Sequence, residues 1–263
     1  MITLPAAAFL LIVVSAVFQA VFLFRNKGQK TDPASHWLLA CAAALLISFM
    51  IERSIGIGFP SLTGTFESLV FYACVVCLGC LFYRLQKKVK FLPFVQFGAT
   101  MAALVLLSIA SSPLAPKEAL PPIPALKSYW LVSHVALSFI GESFFIASFV
   151  ASIAFLATQD KAKKKDYDRI SYTAVALGYP VFTAGALIFG AIWAEQAWGS
   201  WWSWDPKETW ALVTWLVYSL YLHLRLIRNR QDALPSILAI AGFLCTVFTF
   251  FGVNFLLSGL HSY

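Results

Sequence analysis

Residues 198–210 read Trp-Gly-Ser-Trp-Trp-Ser-Trp-Asp-Pro-Lys-Glu-Thr-Trp and hold five of the nine tryptophans of a 263-residue chain. Indole rings favour the headgroup level of a membrane. An aromatic belt, however, sets tryptophans at the ends of most helices and on both faces, whereas here only Trp37, Trp130, Trp193 and Trp215 lie elsewhere. The remaining residues suit a helix start: Asp205 as N-cap, Pro206 as first helical residue and Glu208 as the reciprocal member of a capping box. Trp198, Trp201, Trp202 and Trp204 then form a flat aromatic shelf ahead of that helix. Asp205 reads equally as a cap alone or as part of the shelf. Such a shelf accommodates a planar apolar ring with polar substituents better than a small polar solute. The chain has only four histidines, His36, His134, His223 and His261, and each is a candidate ligand for a metal carried in such a ring.

The elements that must position these residues are membrane helices. Hydrophobic residues make up 60% of the chain, charged residues 12%, and the mean hydropathy is +0.79. Soluble domains carry roughly 25% charged residues. Apolar runs long enough to cross a bilayer at about 20 residues each fall at 4–24, 36–55, 66–84, 91–111, 128–157, 171–193, 207–227 and 236–256. The expected fold is an all-α integral membrane protein. It is a bundle of about eight transmembrane helices in a single membrane domain, 1–263, with the tryptophan-rich extracytoplasmic loop at 194–209. The run Thr3–Phe24 is too long for a signal-peptide core and reads as a retained first helix.

Charge orients the spans. Arg25, Lys27 and Lys30 follow the first; Arg84, Lys87, Lys88 and Lys90 the third. Lys161, Lys163, Lys164, Lys165 and Arg169 follow the fifth, and Arg225, Arg228 and Arg230 the seventh. These are 15 of the 19 basic residues, leaving Arg53, Lys117, Lys127 and Lys207 on the opposite side. The positive-inside rule puts both termini, the proline-rich connector Ser112–Lys127 and the tryptophan loop outside. A net charge of +7 in short runs between apolar spans, with no basic face on a soluble domain, speaks for membrane lipid as partner and against nucleic acid. Cys74, Cys77 and Cys80 form a C-x2-C-x2-C run; steps of three within an apolar helix make them small packing residues, not a metal or redox site. With Cys41 and Cys245 also inside apolar spans, no structural disulfide is expected.

The histidine depths separate their roles. His134 lies roughly 9 Å into the fifth helix from its outer end at 1.5 Å per residue. His261 follows the eighth helix on the same side. Both reach the level of the shelf, where two neutral imidazoles can ligate haem iron from opposite faces. His223 lies roughly 25 Å down the seventh helix, near the cytoplasmic face, and an ionisable residue there reads as functional with a partner to be found. His36, beside Ser35 at a helix start, reads as structural or interfacial. Ser138 and Glu142 continue a polar stripe from His134 at four-residue steps. Glu142 either lines a path in the bundle or pairs with Arg53.

These residues resemble a known family. Trp198 to Leu212 looks like the WWD motif of haem-handling proteins, and its Pro-Lys-Glu-Thr-Trp continuation is similar to the CcsA/ResC branch of System II cytochrome c biogenesis. Arg53, Gly56, Pro60 and Glu67-Ser68-Leu69 resemble that family's early segment. Leu126 to Val135 resembles the region of its first outer histidine, Tyr221 to Arg225 its membrane histidine, and Gly259 to Tyr263 its second outer histidine. The resemblance implies haem transport across the membrane and attachment of haem b to the Cys-x-x-Cys-His motif of apocytochrome c, with haem as cargo. It implies His223 as the membrane-level iron ligand, His134 and His261 as the axial pair, and Trp198, Trp201, Trp202, Trp204 and Asp205 as the cradle, without a side-chain nucleophile. It implies a CcsB/ResB-like partner, an extracytoplasmic thiol reductant, and a bacterial cytoplasmic or plastid thylakoid membrane. The rival readings are a haem-binding regulatory membrane protein similar to HemX and a haem exporter similar to CcmC.

Overall fold

The computed structural model describes residues 3–25, 32–86 and 89–257, without the side chain of Phe255, and the regular structure among them is entirely helical. Two compact units are present, Met1–Ser128 and Tyr129–Tyr263.

The first unit contains α1 (Thr3–Arg25), α2 (Ser35–Ile57), α3 (Thr65–Leu85) and α4 (Pro93–Ser111). α1 packs on α2 and α4, and α3 packs on the same two, closing a four-helix ring. Burial of a polar side chain in such a ring costs free energy unless it is paired, and these are. Gln19 donates to Ser15 and Thr100, each at 3.0 Å, and Gln96 donates to Ser35 at 3.3 Å. Arg53 on α2 meets Glu67 on α3 at 2.5 Å, with both side chains at least nine-tenths buried. The same guanidinium donates at 2.9 Å to the carbonyls of Lys117 and Glu118, so it also pins the connector after α4. Cys74, Cys77 and Cys80 are buried free thiols, and Cys41 and Cys245 are free as well.

The second unit contains α5 (Tyr129–Ala157), α6 (Lys161–Phe182), a π-helical segment (Thr183–Phe189), α7 (Gly190–Trp198) and α8 (Pro206–Leu226). α9 (Ala233–Val247), a second π segment (Phe248–Gly252) and the short α10 (Val253–Leu256) follow. α5 is flanked by α6 and α9, and α8 packs on both of those. Phe145, Val175, Phe182, Tyr218, Tyr221 and Ala239 form its core, with the Phe145 and Tyr218 rings stacked at 3.8 Å. A side chain at Gly185 would strike the backbone of α5, since its Cβ would lie 2.4 Å from the amide nitrogen of Ser138. The π segment therefore approaches α5 backbone to backbone.

Among the described residues seven helical runs are long and apolar enough to cross a membrane, consistent with a multi-pass membrane protein. Six correspond to the first six sequence spans and one to the last. The run expected at 207–227 is indeed helical, as α8, but its composition is less apolar. Several of its polar groups bond to neighbours: Trp215 Nε1 donates to Thr183 Oγ1 at 3.0 Å, and the hydroxyls of Ser219 and Tyr179 are 2.6 Å apart. Arg225 forms a two-pronged pair with Asp168 at 2.8 and 2.9 Å. The sixth run also begins earlier than hydropathy suggests. Asp160 caps a helix that starts at Lys161, so the basic cluster is helical and continuous with the span. A hydropathy window ends where charge begins; the backbone hydrogen bonds do not.

Candidate functional site

The tryptophan loop is shaped by the helix that follows it. Asp205 accepts from the Lys207 amide at 3.0 Å, and Glu208 reaches back to the Asp205 amide, completing the capping box. Glu208 also accepts from the Ser203 amide at 2.7 Å, so one carboxylate gathers the turn. α7 runs through Trp198, and the connection is confined to residues 199–205. Within it Trp204 has φ +58°, a left-handed conformation costly for a bulky residue. That conformation sets its indole edge-on to Trp202, with centroids 5.8 Å apart at 87°. Trp201 and Trp204 are exposed, Trp202 is half-buried and Asp205 is buried.

His134 connects to this loop through one tryptophan that the motif does not include. Its imidazole stacks on Trp193 at 6.2 Å and 11°, and Trp193 meets Trp198 edge-on at 5.7 Å. Trp193 is almost wholly buried. His134 Nδ1 lies 2.9 Å from the carbonyl oxygen of Gly185 in the π segment, and Ser138 Oγ donates to the His134 carbonyl at 2.6 Å. The Trp198 Nε1–H is buried and has no acceptor among the described residues. Glu142 continues the stripe beneath Ser138 and is buried. Arg53, the alternative partner for Glu142, pairs with Glu67.

His223 does not enter the interior of its unit. It is exposed on α8, on the same face as Leu216, Leu220 and Ile227, which are also exposed. His36 is half-buried beside Trp37, with its Nδ1 lacking a hydrogen-bond partner among the described residues. His261, expected to pair with His134, lies outside the described residues. Sequence reasoning missed Trp193, Gly185 and Gly190. The only available signal was a pair of glycines in the sixth span at a five-residue spacing, which carries no meaning without the π register.

The family model of the cytochrome C assembly protein matches residues 62–261. The cytochrome c biogenesis protein CcsA of a Prochlorococcus marinus strain is 32% identical over 303 residues, covering 100% of this chain and 93% of its own length. CcsA of Chlamydomonas reinhardtii is 38% identical, covering 86% of this chain and 67% of its own length. CcsA of Porphyra purpurea is 34% identical, covering 86% and 84% respectively.

Proposed function

The chain belongs to the cytochrome c assembly protein family, and from that premise we propose that it carries haem b across a membrane and presents it for covalent attachment to apocytochrome c. The observation that supports this reading most is the unbroken path of rings from His134 through Trp193 to Trp198. It links a fixed imidazole to the tryptophan loop. Two further features suit haem as cargo. The Trp198 indole N–H, without an acceptor among the described residues, is a donor that an acceptor on the ring periphery would satisfy. The exposed Trp201 and Trp204 offer apolar faces to a planar molecule.

His134 and His261 are the proposed axial ligands of the outer site, and Trp198, Trp201, Trp202, Trp204 and Asp205 its cradle. The protein supplies position, not a nucleophile. Each cysteine thiol of the Cys-x-x-Cys-His motif adds across a haem vinyl group: sulfur bonds one carbon, hydrogen goes to the other, and no electrons are gained or lost. The cysteines must therefore arrive reduced, which calls for a thiol reductant outside the membrane. The exposed position of His223 favours a membrane-level iron site completed by a CcsB/ResB-like helix. The charge pattern supports both termini and the tryptophan loop lying on the extracytoplasmic side of a bacterial cytoplasmic or thylakoid membrane.

The test is the visible spectrum of the detergent-purified complex with its CcsB-like partner, beside maturation of a Cys-x-x-Cys-His reporter. The wild type should hold six-coordinate low-spin haem, and His134→Ala and His261→Ala should each lose that signature together with reporter maturation. His223→Ala should lower total haem. A wild-type complex that matures the reporter without ever holding haem would sink the reading; haem bound with no maturation would favour the regulatory or exporter alternatives.

A further inference from the structure

We infer that the π-helical carbonyl of Gly185 is the positioning group that presents His134 to iron through Nε2. The inference rests on the reading of His134 as a haem ligand but reaches past it, to how the ligand is prepared. A carbonyl oxygen only accepts hydrogen bonds. At 2.9 Å from Gly185 O, His134 Nδ1 must therefore carry the hydrogen. In a neutral imidazole the lone pair then sits on Nε2.

Three features of the π segment shape this arrangement. The first is the approach of the π segment, whose Gly185 lies so close to Leu137 and Ser138 that any Cβ there would overlap their backbone. The second is register. The Gly185 carbonyl accepts from the amide of Gly190, five residues on, as the π pattern requires, and accepts from His134 as well. The third is Gly190 itself: a Cβ at that position would lie 3.0 Å from His134 Nδ1 and would crowd the ring. Trp193 lies nearly parallel to the imidazole, 11° between planes with centroids 6.2 Å apart, and limits its rotation. π segments commonly mark functional sites in helices, and here the segment sets a carbonyl against a histidine 51 residues earlier in the chain. An acceptor on the ring nitrogen that does not bind the metal holds a ligating histidine in one tautomer and increases its electron donation.

The test has two arms. In the haem-free full-length protein labelled with nitrogen-15 histidine, multiple-bond nitrogen–proton correlations at mildly alkaline pH report each tautomer. His134→Gln identifies the signal. The Nδ1–H tautomer is expected at His134, and an Nε2–H tautomer overturns the inference without involving haem. In the second arm, haem-loaded His134→Ala is titrated with imidazole and with 1-methylimidazole. Both ligate iron, but only imidazole retains an N–H for Gly185. Relative to the same pair on free haem in the same detergent, imidazole should half-saturate at roughly tenfold lower concentration, the size of a single hydrogen bond. Equal relative half-saturation overturns the inference. A His134→Ala spectrum identical to wild type before any addition defeats the haem-ligand reading instead, and the first arm still reports the tautomer where this variant does not fold.

Discussion

At the scale of single residues, Trp204 shows most clearly how the tryptophan loop departs from plain structural economy. A left-handed conformation at a bulky residue costs roughly 1–3 kcal/mol, and Trp204 leaves most of its side chain exposed, so packing does not repay that cost. Trp204→Gly relieves the backbone and removes the ring. Its thermal midpoint in detergent should equal or exceed that of the wild type while haem retention falls severalfold. Undiminished haem retention would remove Trp204 from the cradle. Asp205 as a cap was legible in the sequence, because capping chemistry is local, whereas the edge-on setting of Trp204 against Trp202 was not. Nor was the φ of Trp204, since it follows from the way Glu208 draws in the amides of Ser203 and Asp205.

Among the elements, α2 and α3 are joined by a buried ion pair beside their apolar contacts such as Phe49 against Phe66. Arg53 and Glu67 are each compensated by the other, and the guanidinium also serves two connector carbonyls. Arg53→Met leaves a buried carboxylate without its counter-charge, a loss of about 3–5 kcal/mol. Arg53→Met combined with Glu67→Met should recover much of that loss. Chemical unfolding of all three proteins in one detergent checks it; additive effects would mean the two side chains are not coupled. The helices themselves were readable from apolar run length, within a few residues. The early start of α6 and the polar character of α8 were harder to read. Lys161 to Arg169 looks like a loop to a hydropathy measure, yet its amides are helical and its Asp168 is claimed by Arg225. The partner of Arg53 was equally hidden, because Glu67 and Glu142 are both acidic residues at plausible depth and only packing chooses between them.

For the whole molecule, the proposed membrane orientation rests on 15 of 19 basic residues falling at one set of helix ends. Ser203→Cys, in the exposed part of the tryptophan loop, should react with an impermeant maleimide from the extracytoplasmic side of intact cells. Gln159→Cys, exposed in the turn before α6, should react only after permeabilisation. The reverse pattern would invert the proposed topology and put the tryptophan loop beside the cytoplasm. Composition, run length and charge asymmetry determined, without any coordinates, that this is a helical membrane protein. The order of the tryptophan, histidine and Pro-Lys-Glu-Thr-Trp segments sufficed to suggest its family. These are properties of neighbours in the chain, summed along it. The face on which His223 lies, the partner of Arg53, the insertion of Trp193 between His134 and Trp198, and the carbonyl that orients His134 were decided only by tertiary structure. Each depends on the rotational register of one helix against another, and that register is set by backbone approach at residues such as Gly185, distant in the chain from the groups they position.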